Sequence, residues 1–533
     1  MLAFVKKIME DRIEQIHKSA ETTKKKETCT SKNTDAFIVS EKYQEIQNIL
    51  GEINLLYEKS KIPKKVKKMM NQLEVKMNNL FENFVIASEI KCDDILVLTM
   101  AHINLGRIYL FKEGNLTVAK DYLINCLALL EGKEQHYKFI LTAIYAHIYL
   151  HEIWKKLQQL DNCSLQNYSL LDKALELYLN YTKEDDYPDP LNVHLFLPNK
   201  ENSKINLIKC HILTLTYMEE LYCFQPTNMH KFVIYIHNLL NEQLKTIKDS
   251  TENHMFIYWA EASADLSIYF LYSNRLMEAK IHIAAAEYMT MIYYTLILTD
   301  PDVAKSQEKI DSYSIVDIFI NQLWAMYGIM LLRSSKERLL QHESNNSCEA
   351  NNIESKSHSK SEKEIMKPLT FVELEKRLKN IIRYHITDTY VSNLDDVKII
   401  FQNVLKWLNE IYMYFNKRNQ FIPQVQVVLC TSKAYKYYAY FEGSKSKQIN
   451  VIKQQIEILE GVTSTIASKY TTVPEYHYFK KLNFELAVTY STLLDLMSEE
   501  LDEIEEITDE TRIEMKQLVT NVIHKFNLFT NLS

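Results

Sequence analysis

Turns that need a positive φ are almost closed to this chain, because its 533 residues include only seven glycines. With nine prolines, the two strongest turn formers make up about 3% of the sequence, against the ~12% of an average protein. Hairpins of tight β-turns would need far more glycine, so helices joined by short polar connections are the economical solution. The glycines stand at 51, 106, 114, 132, 328, 443 and 461. None of these spacings makes a Gly-rich phosphate cradle, which excludes the commonest nucleotide-driven chemistries.

The eight cysteines (29, 92, 126, 163, 210, 223, 348 and 430) contain no C-x-x-C pair. They read as small apolar residues of a reducing compartment, neither a disulfide frame nor a zinc knuckle. The opening "MLAFVKKIMEDR" carries too short an apolar run for a secretory leader, and "MTMIYYTLIL" (289–298) is about half a membrane span. A soluble cytoplasmic protein without membrane insertion is the expectation. Net charge is −7, yet residues 1–80 hold 16 Lys/Arg against 11 Asp/Glu, leaving the remainder near −12. That balance disfavours nucleic acid as a partner and suits a basic protein.

Apolar residues recur at helical spacing in segments that pair into hairpins. In residues 101–133, two stripes meet across the break "KEGN", with Leu105, Gly106, Tyr109, Ala119, Leu123 and Cys126 at the facing positions. Residues 259–289 repeat the pattern with Leu266, Ser267, Phe270, Ala279, Ile283 and Ala286, one residue shorter in the turn. Small residues at such offsets let two helices approach, as in tetratricopeptide repeats. The fold expected is therefore all-α, a tetratricopeptide-like right-handed α-solenoid of helical hairpins in two subdomains.

Further hairpins are expected over 135–181, 204–246, 370–415 and 420–500. Five segments follow: a mobile 1–35, a helical subdomain 36–303, a linker helix 304–341, a disordered linker 342–366 and a second helical subdomain 367–533. The linker 342–366 is called disordered because it is almost free of the large apolar residues that repay ordering, and the N-terminal segment mobile because its stretch 19–35 is similarly polar.

Two constellations invite a metal. "DDYPD" (185–189) fits the D-D-x-x-D of helical diphosphate synthases, but Pro188 and Pro190 interrupt the turn that would align Asp185, Asp186 and Asp189. His147 and His151 stand one turn apart, and Lys155 occupies the place where a third ligand would follow. Both therefore read as structural, a loop and a pair of groove histidines. No cofactor, no small-molecule substrate and no enzyme activity are expected.

The unit at 259–280 carries a set of residues with a familiar order: Trp259 and Ala260, Ala264, Leu266 and Ser267, Tyr269 and Phe270, then Met277 to Lys280. Upstream stand Leu177, Tyr178, Tyr181, Lys183 and Glu184, then Asp189 and Pro190 and "FLP" at 196–198; downstream stand "DTYVSN" (388–393) and "FELAVTYSTLLDL" (484–496). This ordered set, over roughly residues 95–533, resembles the KIF-binding protein family. The resemblance implies a tetratricopeptide-like solenoid that binds the motor domains of selected kinesins and keeps them off microtubules, and it makes "DDYPDP" a loop. Family contacts to the motor fall on Tyr217, Glu220, Gln243 and Asp265. Tyr217 and Gln243 keep the family residue, whereas Glu220 replaces a Gln and Asp265 a Thr. A tetratricopeptide scaffold for another partner, such as a chaperone tail, is the competing implication, although the Lys/Asn/Arg set of a carboxylate clamp is not found at matched positions.

Overall fold

A computed structural model describes residues 1–24, 39–56, 63–86, 91–157, 165–184, 186–191, 202–247, 254–299, 307–348, 367–467, 473–501 and 509–530. Among these residues there is no strand, and the fold is all-α. Two compact units divide the chain, one of Leu2–Phe232 and one of Met1 with Val233–Ser533.

The first unit holds α1 (Leu2–Lys24), α2 (Glu41–Leu56), α3 (Lys64–Ile86), α4 (Cys92–Ile108), α5 (Leu116–Leu130), α6 (Ile140–Leu157), α7 (Leu165–Tyr181) and α8 (Ser203–Phe224). From α4 to α8 each helix packs on the next, and α4 on α6 and α6 on α8, the arrangement of stacked hairpins. Gly106 permits the α4–α5 approach, since a Cβ there would meet Leu123 at 2.9 Å. The extra residue of this turn is absorbed by a π-helical turn over Tyr109–Glu113, closed by Gly114 at φ 72°. Asn115 then caps α5 by accepting from the Val118 N–H.

The expected mobile segment 1–35 is helical as far as Lys24, with Phe4 and Met9 fully buried and α1 packed on α8. The physical reason is the stripe Phe4, Val5, Ile8 and Met9, which gives the basic N-terminal sequence an apolar face to bury. The rest of that segment lies outside the described residues.

α9 (His230–Thr246) crosses the division. The second unit continues with α10 (His254–Tyr272), α11 (Leu276–Thr299), α12 (Gln307–Cys348), α13 (Glu375–Leu378), α14 (Leu394–Lys417), α15 (Phe421–Ala439), α16 (Lys445–Ala467), α17 (Val473–Leu501) and α18 (Asp509–Thr530). Asn274, at φ 55°, turns α10 into α11, a left-handed position that Asn tolerates better than most residues. Thus the two hairpins read from their facing residues, α4–α5 and α10–α11, are present.

Three expectations need correction. The helix expected as a linker over 304–341 is a core element: α12 packs on α10, α11, α14 and α15, with Leu323, Trp324, Tyr327 and Leu331 fully buried. Apolar residues on all its sides require burial on all sides, so it belongs inside a unit. The helix also runs on through Cys348, into the segment expected as a disordered linker; 349–366 lies outside the described residues. Finally, 370–415 is no hairpin, and 420–500 holds three helices, α15 to α17.

In place of a first hairpin helix, residues 367–393 form an irregular strap across α10, α11 and α12. Phe371 is its anchor, buried against the rings of His237, Trp259 and His282 at 4.9, 5.0 and 4.7 Å. Farther on, Lys280 pairs with Asp388 at 3.0 Å, the Tyr327 hydroxyl donates to the Thr387 carbonyl at 2.7 Å, and the Val391 N–H donates to Ser335 Oγ at 3.0 Å.

Among the described residues, three stretches, Cys92–Glu113, Leu276–Thr299 and Gln307–Gln341, are long and apolar enough to cross a bilayer by length and composition. The short run 289–298 therefore understates the apolar length available. Their most apolar windows are 83%, 56% and 61% buried against other helices.

Candidate partner-binding surface

The loop after α7 behaves as a loop. The Tyr181 hydroxyl donates to the Pro188 carbonyl at 2.7 Å, the Leu191 N–H donates to the Tyr137 carbonyl at 2.8 Å, and Lys204 pairs with Asp189 at 3.2 Å. Asp189 is thus held by a lysine; Asp185 lies outside the described residues. Among the described residues no group of three His, Cys, Asp or Glu could hold a metal ion.

Tyr217 and Glu220 lie on α8, almost one turn apart, and both meet α6. Lys155 forms an ion pair with Glu220 and also lies 5.2 Å from the centre of the Tyr217 ring. The same ring packs on His151, with 5.1 Å between ring centres. The phenol of Tyr217 is pushed far above its usual range, first by burial and then by Glu152, with which it shares a hydrogen bond, and by Glu220. This side chain is a neutral donor at any working pH. A lysine, an imidazole and the carboxylates of Glu152 and Glu220 around one phenol make a polar, aromatic cluster.

His147 and His151, expected as groove residues, both lie on α6. His151 is buried beside Tyr217, and burial together with Lys173 lowers His147 to about 4. Nearby, His211 stacks on Tyr178 with 3.7 Å between ring centres and 2° between planes; burial and then Arg12 lower it to about 3.

The other two expected residues belong to the second unit. Gln243, in the last turn of α9, accepts through its carbonyl and side-chain oxygens from the Thr246 hydroxyl, each at 3.3 Å. Asp265, in mid α10, accepts from the Met1 amine at 2.8 Å. The structure therefore brings Tyr217 and Glu220 together, and supplies each of the four with a different local environment.

Sequence reasoning missed the polar core below the strap. His282 Nδ1 donates to the Glu278 carbonyl at 2.8 Å, so its Nε2 must accept from His237 Nδ1 at 3.0 Å, and His237 Nε2 in turn accepts from Asn241 at 2.8 Å. Both rings are thereby fixed as neutral tautomers, and burial lowers His237 to about 4. Glu278, also buried, is gripped by Arg275 and accepts from the Leu369 N–H at 2.9 Å. The spacing His282–Glu278 was visible as i, i+4, but nothing in the sequence brought His237 or Leu369 to it.

A sequence profile described as "KIF-1 binding protein C terminal" matches residues 257–533, from within α10 to the last residue. The chain belongs to this family. Curated relatives named "KIF-binding protein" include those of Drosophila melanogaster (24% identical over 67% of this chain and 58% of the relative) and Gallus gallus (23% over 78% and 69%). The Homo sapiens protein of the same name is 22% identical over 75% of this chain and 63% of its own length. The matched region therefore spans about three fifths to seven tenths of these relatives. The family match contains most of α10, all of α11 to α18 and the strap.

Proposed function

We propose that this chain binds the motor domains of selected kinesins and keeps them from microtubules by covering the surface that tubulin would occupy. The observation that carries the reading is the family match over 257–533, seconded by relatives whose name states kinesin binding. Chemistry agrees with it: tubulin is acidic, a motor's microtubule-binding face is correspondingly basic, and this chain is acidic outside its first 80 residues. Tyr217, Glu220, Gln243 and Asp265 are the proposed contacts. In this reading the protein is a non-enzymatic, cytoplasmic regulator of microtubule-based transport that uses no cofactor, nucleic acid, inserted membrane segment or small-molecule substrate.

The test is co-sedimentation of a panel of kinesin motor domains with microtubules, with and without the purified protein. Transfer of some motors to the supernatant is expected, and Tyr217→Ala with Gln243→Ala should weaken that transfer in a protein of unchanged helix content. If every motor stays on the microtubule and none binds the protein in solution, the reading fails, and a scaffold for another partner takes its place.

A further inference from the structure

α11 and α12 share an exposed apolar strip that their neighbours leave uncovered. On α11, Met291, Tyr294 and Leu298 fall at i, i+3 and i+7 and are 54%, 41% and 62% exposed. On α12, Tyr313 stacks on Tyr294 at 4.5 Å, and Ile310, three residues before it, is also exposed. The strip runs into a cavity of about 430 Å³ lined by Met291, Glu287, Ile382, Arg383, Lys406 and Trp407. Ile382, in the strap at the rim of this cavity, is 89% exposed. Large apolar side chains that cluster in water at such exposure mark an interaction surface far more often than isolated ones do.

Charge selects the occupant. At the root of the strip, Glu287 pairs with Arg383 at 3.7 Å and accepts from the Trp324 indole N–H at 2.8 Å, while Asp317 lies within the influence of the same guanidinium, which also donates to Asn321. Glu410 adds a further acid beside Asp317, and Glu308 lies near Tyr293 toward the other end; besides Arg383, Lys406 stands at the cavity wall and Arg377 bonds to Tyr288 on α11. Both carboxyls are raised, first by burial, and Arg383 does not offset this. A cation brought to them would be stabilised.

We infer that this strip is a docking groove for an amphipathic helix of a protein partner, its apolar side chains laid along Met291, Tyr294 and Leu298 and a Lys or Arg set against Glu287 and Asp317. The inference rests on the kinesin reading for the partner's identity, and adds a second face to the contacts named there. The geometry is that of helix-in-groove recognition, with anchors spaced by turns of the partner helix.

The experiment compares the full chain with Met291→Asp/Leu298→Asp, two exposed positions at which the fold tolerates a charge, and with Asp317→Asn. One probe is a motor domain released from microtubules by the wild type; the other is a labelled amphipathic peptide of leucine and lysine, followed by anisotropy. With two apolar contacts withdrawn and a carboxylate set at each, affinity for both probes should fall roughly tenfold or more in the double variant. Unchanged affinity for both overturns the inference and leaves the kinesin reading standing. If no motor binds but the peptide does, and the double variant loses it, the groove stands and the kinesin reading falls. A lower solution mass of the double variant would instead assign the strip to a second copy of the chain. Wild-type flotation with neutral vesicles that the double variant loses would assign it to lipid, and either result overturns the inference.

Discussion

Replacing Gly328 by alanine should destabilise the second unit, although the same change in an exposed helix stabilises. Gly328 lies on α12 where it crosses α14, and a Cβ there would stand 2.3 Å from Val404 Cγ2 and 3.6 Å from Ile400 Cγ2. Carbon atoms are content at ~3.5–4.0 Å, so more than an ångström of overlap must be relieved. Val404 is fully buried and β-branched, with little rotamer freedom, and α14 itself would have to move. Overpacking of this kind costs ~1–3 kcal/mol, against ~1 kcal/mol gained from the helix propensity of alanine. With the obstacle immobile the cost lies toward the upper end, and a net loss of about 1–2 kcal/mol is expected.

Two companions make the argument refutable. Gly461 on α16 has no atom within 4 Å of its Cβ position, so Gly461→Ala should stabilise by about 1 kcal/mol through propensity alone. Val404→Ala alone should cost on the order of 2 kcal/mol, yet it opens the space the new methyl needs. The double variant Gly328→Ala/Val404→Ala should therefore be at least about 1 kcal/mol more stable than the sum of its singles predicts. Urea unfolding followed by tryptophan emission reports on this contact, since Trp324 and Trp407 lie 6.2 Å apart beside it. Additive effects, or a Gly328→Ala protein as stable as Gly461→Ala, would refute the reasoning.

In the first unit, His102, His147 and His211 are held neutral, at about 3, 4 and 3, chiefly by burial. The unfolded chain takes up those protons near 6.5, so stability is complete above that pH and lost as pH falls toward 4, by about 4 kcal/mol per unit near pH 5 for three groups. A urea midpoint for this unit that does not move between pH 7 and 5 would contradict this. Phe371→Ala removes the anchor of the strap and should cost about 3–5 kcal/mol, with new protease cleavage inside 367–391 as its readout. Uniform resistance of the strap in that variant would show that Phe371 is not the anchor. Arg275→Ala leaves the buried Glu278 carboxylate with the Leu369 N–H at 2.9 Å but without its cation, a loss of about 3–5 kcal/mol in urea unfolding. A loss below ~1 kcal/mol would mean that solvent reaches Glu278.

The helical hairpins were legible because their information is local. Gly106 and Leu123, or Ser267 and Ala279, lie within a few turns of each other, and the period of the apolar residues fixes which faces meet. α12 was legible as a helix and misread as a linker, because an element apolar on every side has no amphipathic signature to say what surrounds it. The strap was illegible for a related reason. Phe371 gains its burial from His237, Trp259 and His282, between 89 and 134 residues away, and no period in the strap's own sequence announces that. Of the candidate contacts, Tyr217 and Glu220 are joined by Lys155, the same lysine that ruled out a metal site beside His151. "MTMIYYTLIL" was weighed only for its length, while the spacing of Met291, Tyr294 and Leu298 within it is what leaves three apolar residues facing water.

That spacing also separates the two sources of pH dependence expected of a complex. Glu287 and Asp317 are raised by burial while unbound, and a partner's cation would lower them, so docking on the α11–α12 strip releases protons. Affinity should therefore be constant above the raised carboxyl range and weaken as pH falls through it. The histidines of the first unit act at similar pH, but they lower stability, with or without a partner, and leave the affinity of the folded protein unchanged. Titrating peptide affinity against pH in wild type and Asp317→Asn distinguishes the two effects. The variant should bind more weakly at neutral pH and with a flatter pH profile, because one of the two carboxyls no longer titrates. A profile in the variant as steep as that of the wild type would place the cation elsewhere, and the pairing with Asp317 would have to be abandoned.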